Sequence, residues 1–471
     1  MVNQLQVRNP HSGKIDYFIT PLTATEIAAK CVGLRTAQIK WQQLGIEKRV
    51  EVIQQWKKVI LSDQEKLTQA LVKDTGRLIE SRIEIDSVIN SIDRWCNLGT
   101  ELLVTREKKT TTIPFIQLQN QLIPYQLVGI ISPWNVPLLL SLIDAIPALL
   151  AGCAVIVKPS DIAPRFIQPL LETITTVPFL QNILNYIEGA GETGANLIEY
   201  VDFICFTGSV ATGKKVAEKA AKKFIPACLE LGGKDPAIVL DSADLELATS
   251  AILWGSVVNA GQSCFSIERV YVAASILIEF ITKLTEKAQG LKLTYPHIES
   301  GEIGPIILDK QVNIITEHLE DAVSKGAVVH CGGNVENLDG GFWCLPTVLS
   351  QVNHRMKIMR METFGPIIPV MSFTTVEEAV RLANDTTYGL SAAVFAGSEP
   401  EALAVASRIN AGGISINDAG LTAFIHEGEK NSFKFSGLGS SRMGTDGMKR
   451  FLRKKTILTK VNSVPNPWWF D

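Results

Sequence analysis

The sequence predicts an α/β protein of two lobes, each built on a parallel, doubly wound sheet, with a small projecting β hairpin. Two observations carry that expectation. From residue 127 the chain alternates strand-like and helix-like runs: VGII, helix, AVIVK, helix, ILNYIEG, helix, FICFTGS, helix, then CLELGG and AIVL. Parallel strands need a crossover between them, usually a helix, so this pattern reads as a parallel sheet covered on both faces. A second series, ERVYVA, a helix near 276–289, VVHCGG, a helix near 376–384 and SAAVFA, predicts the second lobe. The length agrees, since 471 residues at roughly 150 per domain is about three domains' worth of chain.

Each element has its local reason. Residues from about 23 to 100 read as helices: Val52, Trp56 and Val59 recur at helical spacing, and Ser62 with Glu65 forms a capping-box pattern. TTTIPFIQLQNQLIPY, 110–125, alternates around Asn120 and predicts the hairpin. The apolar stretch 127–159 is long enough to span a membrane, but Asn135, Asp144 and four prolines within it argue for strand, helix, strand in a buried core. KKTILTKV, 454–461, predicts a further strand. The chain then ends in SVPNPWWFD, 463–471, an apolar tail that two prolines keep from being a regular helix. Its Trp468, Trp469 and Phe470 suit docking on a partner subunit or over a tunnel mouth, with a peripheral membrane contact as the alternative.

Composition narrows the function classes. A net charge of −3 gives no electrostatic reason for a nucleic-acid partner. Eight scattered cysteines without a CxxC pair fit free thiols in a reducing cytoplasm, and no metal-ligand spacing is present. MVNQLQVRNPHSGK lacks the apolar core of a signal peptide.

Two glycine clusters compete for a phosphate. GAGETG, 189–194, matches GxGxxG between a strand and a helix, but lacks the acidic residue expected about 20 positions on. GSVATG, 208–213, also follows a strand and opens a helix, whose first N–H groups suit a pyrophosphate. By pattern alone the two stay tied. A similar question hangs over Cys264 in NAGQSCFSIERV: it is either a nucleophile or a small apolar residue at a bend, and no histidine stands near it in sequence.

PWN at 133–135, KPS at 158–160, FTGSxxxG at 206–213, ELGGK at 230–234, GQSC at 261–264 and ExFGP at 362–366 occur in this order. The chain thereby resembles the aldehyde dehydrogenase superfamily, of the NAD(P)-dependent kind that hydrolyses its thioester rather than acylating CoA. The resemblance implies a Rossmann-like cofactor domain, a second α/β catalytic domain and a small β oligomerisation element. Cys264 then matches the nucleophile: an aldehyde carbon releases hydride only after a thiolate has added to it. Asn135 and the backbone N–H of Cys264 match the oxyanion donors. Glu230, between Leu229 and Leu231, matches the base that hydrolyses the thioester, and burial there would raise a carboxylate's pKa into a useful range.

For the dinucleotide, the resemblance implies contacts from Trp134, Lys158, Ser160, Asp161, Gly191, Gly208, Ser209, Gly213, Leu231, Gly232, Glu362 and Phe364, and it assigns the phosphate turn to GSVATG. Asp161 stands where the family commonly has glutamate; a carboxylate there favours NAD, with NADP still possible. Val136, Leu140, Ile143, Ser263 and Phe265 would line the aldehyde tunnel. Their aliphatic and aromatic character favours a medium- or long-chain, aromatic or apocarotenoid-like aldehyde. A succinate-semialdehyde type is the alternative, since the loop near 418–435 could supply charge. A Cys–His acyl hydrolase and a non-enzymatic binding protein are the other rivals.

The implied boundaries are 1–105 and 126–230 for the cofactor domain and 231–435 for the catalytic domain. Strands 106–125 and 450–462 would pair between subunits of a homodimer or homotetramer.

Overall fold

The computed structural model describes residues 4–103, 108–113 and 115–461; the tail 463–471 lies outside the described residues. Four helices, Ala24–Gln43, Gly45–Ser62, Gln64–Thr75 and Ile79–Leu102, precede the first sheet. The first starts on a true capping box, Thr23 with Glu26. The box expected at Ser62 does not form. The second helix runs through Ser62, and the chain pivots at Asp63 straight into the third helix, so Ser62 never reaches a cap position.

The first sheet has the order Gly437–Leu438, Ala227–Glu230, Phe203–Thr207, Leu127–Ile131, Ala154–Lys158, Leu184–Tyr186, parallel except for its first pair. AVIVK and FICFT are buried along their whole length, as strands covered on both faces should be. Strand order reverses between Leu127–Ile131 and Phe203–Thr207, and the crevice beyond their carboxyl ends is where open α/β sheets bind ligands. PWN leaves one of these strands and GSVATG the other.

The second sheet has seven strands: Val328–Cys331, Thr347–Ser350, Ile367–Phe373, Ile267–Ala273, Asp235–Val239, Ser391–Phe395 and Gly413–Ile416. Only Val328–Cys331 is antiparallel to its neighbour. AIVL, which the alternation placed at the end of the first series, belongs here. The extended chain 231–234 carries it from one sheet to the other, a change of layer that alternation cannot register. Each sheet has its own apolar core.

The expected hairpin forms, but only as a short one, and its long strand has a distant partner. Asn120 sits in mid-strand within Ile116–Pro124, which pairs antiparallel with Leu452–Lys460 along its full length, while only Lys109–Thr110 folds back locally. The two strands expected to pair between subunits thus pair first with one another inside the chain, which leaves Leu452–Lys460 at the edge. Alternation marks a strand but not its partner.

Candidate active site

The Cys264 loop is built on unusual backbone. Asn259, Ala260 and Gly261 adopt φ of 58°, 52° and 70° after the helix Leu245–Val257. At Gly261 a Cβ would collide with the backbone of Gly365, so glycine is required for close approach as well as for φ. Gln262, fully buried, pins the loop: its Nε2 donates to the carbonyls of Asn259 and Pro305, both at 3.1 Å, and its Oε1 accepts the N–H of Ile307 at 2.9 Å. Ser263 is buried, and Cys264 and Phe265 stay partly exposed beyond it. Burial pushes the Cys264 thiol up to about 11; of the charges that act on it, the Lys430 ammonium is the foremost and opposes the rise.

Asn135 lies against this loop. Its Nδ2 donates to the carbonyl of Gln262 at 2.8 Å, which orients the amide and commits one of its two N–H groups. Its own carbonyl accepts from Arg77 and, at 3.0 Å, from Asn259 Nδ2. Glu84, on the long helix Ile79–Leu102, accepts the N–H of Leu139 at 2.9 Å at the start of the helix Pro137–Leu142. Burial raises the Glu84 carboxyl to about 7. Arg77, Glu84, Asn259 and Gln262 hold the Cys264 loop and Asn135 in register; Gln262 belongs to GQSC, but no motif marks Arg77 or Glu84.

Glu230 ends the strand Ala227–Glu230. Its backbone is held on both sides, paired with Thr207 and with Gly437, and its carbonyl accepts the N–H of Gly208 at 3.1 Å. The side chain is partly exposed, although Leu229 and Leu231 beside it are buried as expected. Its Oε2 accepts from Ser432 Oγ at 2.8 Å. Nearby, Arg442 binds Asp144 through both oxygens, at 3.1 and 2.9 Å, and donates to Thr207 Oγ1 at 2.6 Å, while Arg450 also pairs with Asp144. Burial alone would raise Asp144, but the two guanidinium groups hold its carboxyl below the usual range.

The cleft between the sheets gathers the remaining motifs. Lys158 is buried at the end of its strand with Asp161 Oδ1 3.9 Å from its Nζ; burial lowers the ammonium's pKa and Asp161 opposes the shift. Ser160 Oγ accepts the N–H of Ile162 at 3.2 Å. Ser209 caps the helix Val210–Lys223, and a Cβ at Gly213 would strike the Leu231 side chain, so the helix's first turn lies against Leu231. A Cβ on Gly208 would press into the Phe206 ring. Glu362 Oε1 accepts the N–H of Gly233 at 3.1 Å, and a Cβ at Gly232 would collide with the Glu362 carboxylate. Trp134 meets Phe364 edge to face at 5.6 Å. Gly191 opens the helix Gly191–Ile198 with open space beside it, and Gly194 of the same cluster faces the Lys158 stem.

Beneath the ExFGP turn runs a buried chain of polar groups. Glu268 accepts the N–H groups of Thr363 and Phe364, both at 2.8 Å, and pairs with Lys234 Nζ at 2.5 Å. Burial, with Glu268 close by, raises Glu362 to about 8. These features fit a dinucleotide. A buried cation stands beside a carboxylate, a capped helix opens onto the strand-order switch, and the Glu362 carboxyl is suited to a ribose hydroxyl.

Residues 2–457 match the model of the aldehyde dehydrogenase family. The chain belongs to that family. It is a member of the NAD(P)-dependent kind, which oxidises an aldehyde to a carboxylic acid. Its fold is the family's: a Rossmann-like dinucleotide domain, a catalytic α/β domain and a small β oligomerisation region. The putative aldehyde dehydrogenase PutA from Anabaena variabilis has a similar structure, 65% identical with a TM-score of 0.98, each chain covered completely. Betaine aldehyde dehydrogenase from Staphylococcus aureus, solved with NAD+, is 31% identical with a TM-score of 0.93, covering 100% of this chain and 94% of that one. Among curated relatives, the putative NADP(+) succinate-semialdehyde dehydrogenase of Mycolicibacterium smegmatis is 33% identical over 93% of this chain and 85% of its own. The 4,4'-diapolycopene aldehyde oxidase of Methylomonas sp is 35% identical over 93% and 82%.

As a family member the chain needs a route for its aldehyde. Val136 and Leu140 are half-buried and Ile143 is buried on the PWN side. On the other side Phe265 stacks on Trp254 at 6.4 Å, and Trp254 meets Phe424 at 5.7 Å. Trp254 and Phe424 belong to no motif, and only their convergence on Phe265 reveals them. The histidine side chains that form hydrogen bonds among the described residues do so away from Cys264: His11 with the Thr294 carbonyl, His318 with Thr363, His330 with Ser350, and His354 with Tyr271 and Asp385. Among the described residues, no helix is long and apolar enough to cross a membrane.

Proposed function

We propose that this chain oxidises an aldehyde whose far end carries a carboxylate, a semialdehyde, with NAD+ preferred over NADP+ and with Cys264 as the covalent nucleophile. Lys430 is the observation that carries the substrate assignment. It stands on the loop whose charge the sequence left open, it is the foremost charge acting on the Cys264 thiol, and its Nζ donates to the Thr422 carbonyl at 3.0 Å. An ammonium so near the nucleophile suits a short acyl chain ending in an anion. The names of the succinate-semialdehyde relatives point the same way. A long apolar aldehyde is the second reading, supported by the Trp254–Phe265–Phe424 row and by the likeness to the diapolycopene aldehyde oxidase.

Each residue has its part in the reaction. The Cys264 thiolate adds to the carbonyl carbon, and the second N–H of Asn135, with the backbone N–H of Cys264, steadies the oxyanion. When bound, the dinucleotide supplies the hydride acceptor. Glu230 then removes a proton from the water that attacks the resulting thioester, releasing the acid and restoring Cys264. The Asp161 carboxylate, beside Lys158, favours NAD+ by repelling a 2′-phosphate. The chain works as a homo-oligomer through the Leu452–Lys460 and Ile116–Pro124 ribbon, whose outer strand is largely exposed.

The test is an aldehyde panel of succinic semialdehyde, a medium-chain alkanal and benzaldehyde with each dinucleotide, read at the reduced-cofactor absorbance, repeated on Lys430→Met. The semialdehyde should give the highest kcat/KM, and Lys430→Met should raise its KM about tenfold while leaving the KM of the alkanal unchanged. A preference for the alkanal that survives the substitution would favour the second reading.

A further inference from the structure

We infer that Ser432 is a positioning residue for the deacylating base, holding one carboxylate oxygen of Glu230 so that the other is aimed at the hydrolytic water. The inference rests on the reading of Glu230 as that base, but on no assumption about which aldehyde is used. Ser432 Oγ donates to Glu230 Oε2 at 2.8 Å, and no other hydrogen bond is seen at that carboxylate among the described residues. The backbone of Glu230 is fixed by strand pairing on both edges, so the remaining freedom lies in its side-chain torsions. A long, partly exposed carboxylate with that freedom samples several rotamers, and one charge-assisted hydrogen bond is enough to select among them.

The serine is itself constrained. It packs on Gly437, the register partner of Glu230, where a Cβ would stand 2.6 Å from the Ser432 Cβ. The backbone around it is tied in as well: Leu231 N–H donates to the Ser436 carbonyl at 2.8 Å, and Phe433 N–H to the Gly389 carbonyl at 2.9 Å. The arrangement has the logic of a base oriented by a third group.

Burst kinetics on the full-length protein with its dinucleotide and its best aldehyde test this. Ser432→Ala should keep the burst of reduced cofactor while steady turnover falls about tenfold, the scale of one lost hydrogen bond to a charged group. Ser432→Thr, which restores the hydroxyl, should recover most of the turnover. Burst and turnover falling together would make Ser432 merely structural and overturn the inference, as would an unchanged or faster turnover. Glu230→Gln, run in parallel, separates the two levels: if that variant turns over normally, the assignment of Glu230 is what fails.

Discussion

Cys264 and Glu230, the proposed nucleophile and base, are held by opposite means. Cys264 sits on a loop that is over-determined: three successive residues have left-handed φ, and a fully buried glutamine with three hydrogen bonds through its side chain locks them. Non-glycine residues in that conformation cost of order 1–3 kcal/mol each, and the surrounding polar network offsets the strain. Glu230 has a rigid backbone but a partly exposed carboxylate with one hydrogen bond, opposite a segment that leaves Phe424, Ile425, Phe433 and Phe435 exposed. The difference follows the chemistry. A nucleophile and oxyanion donor must match one geometry, whereas the base has to serve a later step, after the site's contents have changed.

The largest expected effect separates the two groups outright. Cys264→Ala should abolish burst and turnover together, by roughly ten-thousandfold, whereas Glu230→Gln should spare the burst and slow only the steady phase. Rapid-quench or stopped-flow measurement of reduced cofactor distinguishes them, and equal loss of both phases in the glutamine variant would remove Glu230 from deacylation.

Next comes the stiffness of the Cys264 loop. Gln262→Ala leaves the Ile307 N–H and the Pro305 carbonyl without their buried partner, which should cost about 3 kcal/mol of stability and slow the burst about a hundredfold. Denaturant unfolding of this variant beside Ser432→Ala sharpens the contrast, since only the former should lose substantial stability.

The thiol's pH dependence is smaller per step. The thiolate is the reactive form, and burial puts the Cys264 pKa at about 11. The burst rate of enzyme mixed with aldehyde should therefore rise with pH, about tenfold per unit until the thiol titrates. Lys430→Met, which removes a cation that favours the thiolate, should displace that profile further toward alkali; a flat profile would mean that the thiolate is formed by another route.

The smallest effect is at the cofactor cleft. Asp161→Ser removes the carboxylate beside Lys158 and should move the NAD/NADP ratio of kcat/KM toward NADP roughly tenfold. An unchanged ratio would place Asp161 away from the ribose.

The legibility of this molecule divides along contact range. Cys264, Asn135, Glu230, Lys158 and Glu362 lie in short runs whose spacing is local, and the two α/β series were readable because period and punctuation are local too. Missed were Ser432, Lys430, Arg442, Glu84 and the aromatic pair Trp254 and Phe424. Most lie far along the chain from the residue they serve: Ser432 is 202 positions from Glu230 and Arg442 is 298 from Asp144. The partner of the strand around Asn120 was hidden for the same reason, because alternation is equally satisfied by a local turn and by a strand more than 300 residues away.

By itself, the order of six motifs determined the family, the reaction and the residue types at its centre, because a nucleophile, an oxyanion donor, a base and a phosphate turn are chemical requirements that local sequence must carry. Only the tertiary structure decided what surrounds them. It placed the Lys430 ammonium where its charge acts on the Cys264 thiol, turned Ser432 toward Glu230, and paired two distant strands within one chain. Those outcomes depend on which distant side chains share a few ångströms of space, and burial and hydrogen-bond satisfaction select that arrangement over the whole fold at once.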